Sequence, residues 1–278
     1  MQIIHRISFN ATSEILSTLH SLGIAIETPR SPHDTFVSFE VCESNENWHK
    51  VKDLLTVWKA FDFVSTKYSI RELEYAQFLK LAPSWHCGYP QPEDDFGYLN
   101  LTYDNSNYCE QCGAGGIQKS PFRMKREPKW GKRHILQLNW VFDEYFVLPE
   151  IWERVFRPFG IECLPVLEHK SGKPFDTVVQ IKNDRLATSP LSDMVEYEFE
   201  ICSVCHRKKY LPITRGMFPH CTEKSDVHLF RTQEEFGSGA SARNAVIVSH
   251  VLYKALRDNH VSGVSFVPLG EIKGVRSR

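Results

Sequence analysis

The sequence predicts an α+β protein, with an amino-terminal ferredoxin-like βαββαβ module followed by a mixed α+β domain that carries a split zinc-ribbon-like site. Three observations carry this prediction. Apolar spacing switches between period two and period 3.6 through the first 68 residues. Two Cys-x-x-Cys pairs, Cys109-Glu110-Gln111-Cys112 and Cys202-Ser203-Val204-Cys205, stand far apart in the remainder. Short strand-like runs separated by Gly and Pro turns surround them. The expected domains are the module at 1–68, a linking helix over 69–82, and the zinc-ribbon-containing domain at 83–278.

The module is justified element by element. Residues 2 to 9 alternate as a strand, and Thr12 caps a helix with Ile15, Leu16, Leu19 and Leu22 on one face, stopped by Gly23. A second strand is expected at residues 24–28, ending in a turn over 29–32, and a third at 35–41, where Thr35-Phe36-Val37-Ser38-Phe39-Glu40-Val41 alternates. Trp48, Val51, Leu54, Leu55 and Trp58 keep helical spacing, and residues 61–67 form the fourth strand. This is the split βαβ order, a plan that hosts many functions and specifies none. His5, His20, His33 and His49 stand apart and read as solvated or hydrogen-bonded side chains.

Ser69-Ile70-Arg71-Glu72 has the form of a capping box and opens the linking helix, which is expected to run to Leu79 or Leu81 before Pro83 ends it. Pro90, Pro92, Glu93, Asp94 and Asp95 make a rigid acidic loop. Residues 98–103 are expected as a strand that enters the first Cys pair, and Gly113, Gly115 and Gly116 allow the tight turn around it. A basic stretch follows at 121–134, and residues 135–142 read as a strand. Pro149 opens a helix with Ile151, Trp152, Val155 and Phe156 on one face. Strands are expected at 161–167, 177–181 and 195–202, the last feeding the second Cys pair. Ser238 or Ser241 caps a strongly apolar helix containing Val246 to Leu256, and residues 263–268 close the chain as a strand.

Composition bounds the function. With 278 residues, 42% of them hydrophobic, the chain can bury a substantial core. Lys plus Arg (33) nearly balances Asp plus Glu (34), so the net charge of -1 supplies no global field for DNA, a membrane or an acidic polymer. No apolar run approaches about 18 residues, and Met1-Gln2-Ile3-Ile4-His5-Arg6 has no secretory pattern, so a cytoplasmic protein without a membrane partner is expected. In that compartment thiols stay reduced, and paired short spacings among eight cysteines favour a metal over disulfides.

Cys109, Cys112, Cys202 and Cys205 are therefore the expected ligands of one zinc ion, each pair lending two thiolates from a tight turn. Such a shell has no open position, so the zinc would be structural. Competing sets are the second pair with the downstream His220-Cys221, His206 or His228 being available to it, and the first pair with His86-Cys87. A thioredoxin-like role is disfavoured because neither pair opens a helix after a strand.

The two Cys-x-x-Cys motifs, the apolar run around Val246 to Leu256 and the ending Gly263-Val264-Ser265-Phe266-Val267-Pro268-Leu269 resemble bacterial double-CxxCG proteins, a group that includes toxin-immunity proteins. The similarity covers roughly residues 80 to 278, and the second motif departs from the pattern by having His206 where glycine stands. The resemblance implies a cytosolic, non-catalytic protein-binding scaffold with a structural zinc, and a cognate toxin as partner.

The residues expected to meet a protein partner are Glu93, Asp94 and Asp95 of the acidic loop and aromatics such as Trp85 or Tyr89. A nucleic-acid-binding ribbon is the alternative, because basic residues follow both pairs: Arg123, Lys125, Arg126, Lys129, Lys132 and Arg133, then Arg207, Lys208 and Lys209, with Phe122, Trp130 or Tyr210 for stacking. An enzyme of unknown class is the second alternative. Asp143-Glu144 and Ser249-His250 supply suitable groups, but neighbours in sequence are expected to diverge, and no common cofactor or hydrolase motif is present.

Overall fold

The structure, a computed structural model, describes residues 1–26 and 35–270. It is mixed α+β, with several sheets and few helices, and the chain divides into two units. The first unit is Met1–Glu72 with Ile213–Gly216, and the second is Leu73–Pro212 with Met217–Arg278.

In the first unit the order is β1 (Gln2–Asn10), α1 (Ser13–Ser21), β2 (Phe36–Cys42), α2 (Trp48–Val57) and β3 (Phe61–Lys67). Both β2 and β3 pair antiparallel with β1, giving the order β2-β1-β3. Alternation drives the pairing: Val37, Phe39 and Val41 of β2 face inward with Ile7 and Phe9 of β1, over Leu19 of α1 and Val51 of α2. Thr12 caps α1 through its Oγ1, which accepts from Ile15 N at 3.4 Å. The expected strand at 24–28 does not form over residues 24–26, where Ile24 N instead bonds Leu19 O behind the helix. Its last two residues, the turn at 29–32 and His33 lie outside the described residues.

His5 is buried and hydrogen-bonded rather than solvated. Its Nδ1 lies 2.8 Å from Asp62 Oδ2 and its Nε2 2.9 Å from Glu43 Oε1. Glu43 in turn takes both guanidinium nitrogens of Arg215, and Thr66 Oγ1 accepts from Gly216 N at 2.9 Å and donates to Thr214 O at 3.0 Å. These bonds attach Ile213–Gly216 to the module.

The capping box forms, with Ser69 N donating to Glu72 Oε2 at 2.8 Å, but its helix α3 (Ile70–Tyr75) ends early. The expected linking helix over 69–82 is corrected: β4 (Phe78–Pro83) replaces its second half. Phe78, Leu79 and Leu81 are all buried, and pairing on two edges outweighs the helical propensity of a Leu-rich run.

The second unit continues with α4 (Tyr98–Thr102), then the hairpin of β5 (Tyr103–Asp104) and β6 (Ile117–Gln118). Next come β7 (Arg123–Met124), β8 (Ile135–Leu136), β9 (Phe146–Val147), α5 (Pro149–Ile151), β10 (Cys163–Glu168) and β11 (Pro174–Ile181). Helix α5 runs on through a wide π-type turn, Trp152–Phe156. Then follow β12 (Phe199–Ile201), β13 (Lys208–Tyr210), β14 (Leu229–Phe236), β15 (Arg243–Ser249), α6 (His250–Asp258) and β16 (Val264–Pro268). The sheets run β7-β10-β11-β9-β8 and β12-β13-β14-β15-β4-β16. One apolar core joins them, from Leu79, Leu81, Ile135 and Val147 to Val248, Leu252 and Leu256.

Four further expectations are corrected. Residues 98–102 are helical, because the buried pair Tyr98 and Thr102 is spaced four apart and not by two. The strand at 135–142 stops after Leu136, and Trp140 takes a positive φ of 68°. The strand at 195–202 shortens to Phe199–Ile201 behind a single 3-10 turn. The helix from Ser238 or Ser241 is a strand to Ser249 and a helix only from His250, because Ala245-Val246-Ile247-Val248 is buried on both faces and largely β-branched. Ser249 supplies the cap, accepting from Leu252 N at 3.2 Å.

Candidate metal centre and the adjoining cavity

Each Cys-x-x-Cys pair is the turn of a short antiparallel hairpin, the first between β5 and β6 and the second between β12 and β13. The turns share one backbone pattern. Cys109 N donates to Ala114 O (2.8 Å) and Gly113 N to Cys109 O (2.7 Å); Cys202 N donates to Arg207 O (3.0 Å) and His206 N to Cys202 O (3.0 Å). The residue after the second cysteine is left-handed in both, with φ 78° at Gly113 and 59° at His206. The histidine that breaks the sequence pattern thus adopts the glycine's conformation, at a steric cost of about 1–2 kcal/mol.

The hairpins bring four sulfurs together, all within 4.8 Å of one another. Cys109 Sγ lies 3.8 Å from Cys202 Sγ, and Cys112 Sγ 3.6 Å from Cys205 Sγ. A disulfide needs about 2.05 Å. A tetrahedron with metal–sulfur bonds of about 2.3 Å has edges of about 3.8 Å, so the donor set fits a metal ion with four thiolates. The backbone N–H groups of Cys205 and Val204 hold the Cys202 thiol down at about 6, whereas burial pushes Cys112 up to about 12. A dication among the sulfurs would overcome that burial penalty.

The surroundings fix the two turns. Arg207 Nη1 donates to Asn107 O (2.8 Å), tying the second turn to the first. Buried Lys209 donates to Gly239 O (2.5 Å) and reaches Cys112 O (3.5 Å). A Cβ on Gly113 would lie 2.3 Å from Ala240 O, so the 237–242 loop packs on the first turn only because glycine is there. Among the described residues no other group of three or more His, Cys, Asp or Glu gathers its donors this way. His220 Nδ1 is engaged by Gly270 O and His228 Nδ1 by Ser249 Oγ.

The first turn also walls a cavity of about 1200 Å3. Its floor holds Asp143 and Glu144, which do not diverge: residues 142–145 are irregular, and both carboxylates meet Arg231, Asp143 Oδ2 at 3.0 Å from Nη1 and Glu144 Oε1 on Nη2. Gln180 Nε2 donates to Glu144 Oε2 (2.9 Å) and to Gln118 Oε1 (2.7 Å). Burial raises Glu144, and the adjacent Arg231 opposes that rise. This network was hidden in the sequence; its one local signal is an arginine within the otherwise inward positions of 229–232. Ser249 likewise pairs with His228 (2.9 Å) and not with His250, whose Nδ1 faces Ala76 O.

At the cavity mouth, Trp140 packs against Tyr89 (4.5 Å) and Phe96 (4.7 Å) between ring centroids. Asp95, Phe96 and Trp140 all take positive φ, at 49°, 52° and 68°. For residues with side chains this costs about 1–3 kcal/mol each, a strain that concentrates at functional sites. Asp94 and Asp95 are exposed and Glu93 half-buried, with Gln91 Nε2 donating to Glu93 Oε2. Trp85 is half-buried between Trp130 and the Arg133 guanidinium. Of the basic residues, Lys125, Arg126, Lys129, Lys132, Arg133 and Lys208 are exposed, Arg123 and Arg207 half-buried and Lys209 buried; Phe122 and Tyr210 are buried and Trp130 is half-buried with Nε1 on Thr177 O.

No protein-family model matches the chain, and no curated protein sequence matches it. No helix among the described residues is long and apolar enough to cross a membrane.

Proposed function

We propose that this chain is a non-catalytic protein-binding module clamped by a structural zinc ion, and that it acts as an immunity-type protein that binds and neutralises a bacterial toxin in the cytoplasm. The observation that carries the scaffold reading is the four sulfurs within 4.8 Å. Zinc suits an all-thiolate tetrahedral set, and four protein ligands leave no position for substrate or water. Cys109, Cys112, Cys202 and Cys205 would hold it, and its contribution is to close two hairpins that the chain separates by 89 residues between Cys112 and Cys202. The toxin follows from the resemblance to double-CxxCG proteins, supported by a left-handed His206 at the motif's glycine position.

The finer fold is also our assignment. The order β2-β1-β3, antiparallel throughout, matches three strands of the ferredoxin-like plan, and the paired knuckle hairpins match a split zinc ribbon.

Co-expression with the product of an adjacent toxin gene tests the function. Growth rescue and co-purification are expected, and a toxin that still kills overturns the immunity reading. The nucleic-acid alternative draws on exposed Lys125, Arg126, Lys129, Lys132, Arg133 and Lys208. It ranks second because two of its three stacking rings, Phe122 and Tyr210, are buried. Oligonucleotide binding that weakens steeply with salt would reverse that order.

A further inference from the structure

The cavity beside the first knuckle differs from an ordinary surface hollow in three independent ways. Its rim exposes large apolar side chains, Phe96, Ile117, Trp140, Phe142 and Leu186, of the kind that marks contact surfaces when they cluster around a concavity. Trp140 is already immobilised between Tyr89 and Phe96, so a partner would lose little side-chain entropy on meeting it. Its charges are unbalanced: Asp95, Glu110, Asp143, Glu144, Asp184 and Glu235 face four cations, Lys119, Lys182, Arg231 and Arg243.

Two of those cations are committed. Arg231 is shared by Asp143 and Glu144, and Lys182 lies between Glu162 (2.6 Å) and Asp184 (3.7 Å). Arg243 sits over the Phe142 ring at 4.4 Å. A phosphate-bearing ligand would meet this surplus of carboxylate, whereas a cationic one would neutralise it.

We infer that this cavity is a docking cleft for a basic segment of a partner protein, an apolar side chain packing on Trp140 and Phe96 while Lys or Arg side chains meet Glu110 and Asp95. The inference rests on the protein-binding reading and narrows it to one surface and one partner chemistry. The zinc centre then has a direct role, because the turn it closes is one wall of the cleft.

A displayed library of random peptides, about 12 residues long, selected against the zinc-loaded full chain tests it. Enriched peptides are expected to carry Lys or Arg beside an aromatic or aliphatic residue. A synthetic copy should bind Glu110→Lys and Trp140→Ala at least about tenfold more weakly than wild type, with Lys125→Glu as an unaffected surface control. Zinc content and circular dichroism verify that each variant folds. No enrichment, acidic peptides, unchanged affinity in both variants, or displacement by a thymidine oligonucleotide overturns the inference. Toxin neutralisation that survives both substitutions sinks the cleft and spares the immunity reading; basic peptides held in the cleft without any neutralisation do the reverse.

Discussion

The core of the amino-terminal unit and the cysteine cluster of the second unit are held by different forces. Ile7, Phe9, Leu19, Val37, Phe39, Val41 and Val51 give the first a packed apolar centre, with Phe9 stacked on Trp58 at 5.3 Å. Around the four sulfurs, the apolar cluster among the described residues adds only Ala114 and Ala242 to the cysteines themselves. Apolar burial stabilises by about 25 cal/mol per Å2, so two alanines contribute little to holding the two hairpins together. Apolar packing, which holds the module, is thus sparse at the knuckles, where the polar ties from Arg207 and Lys209 and, in our proposal, a metal ion take its place.

The largest effect expected from that contrast is on metal removal. Structural zinc sites contribute about 10–16 kcal/mol in isolated fingers. Chelation, or Cys109→Ser, should therefore remove hydrogen-exchange protection from residues 103–118 and 199–210 while protection in β1 and β2 persists. Equal loss in both regions would erase the distinction. The converse substitution, Ile7→Ala at a fully buried site, should cost the first unit about 2–5 kcal/mol in denaturant unfolding and leave zinc content at wild-type level.

Smaller changes separate the two knuckles. Gly113→Ala places a methyl against Ala240 O at 2.3 Å on a φ of 78° and should cost about 2 kcal/mol, with weakened metal retention against a competing chelator. His206→Gly relieves the left-handed strain and should gain about 0.5 kcal/mol, readable as a small rise in Tm. A loss there would mean that the imidazole has contacts the geometry does not credit.

An effect between those two in size concerns the first unit and its pH dependence. The Arg215 guanidinium, opposed by burial and helped by His5, holds Glu43 below the ordinary carboxylate range. A lowered carboxylate contributes stability that is full above its unfolded value, near 4.5, and is lost as pH falls through its lower folded value. Arg215→Ala should cost about 1 kcal/mol at neutral pH, and the gap to wild type should close in acid. A gap that persists at acid pH would assign the loss to packing.

Legibility in the sequence followed the same division. Strands 2–9 and 35–41 and both helices of the module were readable because one face of each is buried and the period survives in the residues; 61–67, where only Val64 and Thr66 are half-buried, was readable from its β-branched and aromatic residues. The four cysteines were readable because ligand chemistry needs particular atoms at short spacing, and the fold joins what the chain separates. Residues 78–83 and 243–249 misled because strands buried on both faces lose their alternation and read like helices. The cavity was invisible for another reason. Asp143, Glu144, Gln180 and Arg231 come from three separated stretches, and no local pattern records that they meet.

X-ray absorption spectroscopy on the purified chain, paired with metal analysis, reads out the four-sulfur shell itself. One zinc ion per chain is expected, with four sulfur neighbours at about 2.3 Å, and loss of that ion in both Cys109→Ser and Cys202→Ser. A chain without bound metal, a shell containing nitrogen or oxygen, or an ion retained in both variants would contradict it.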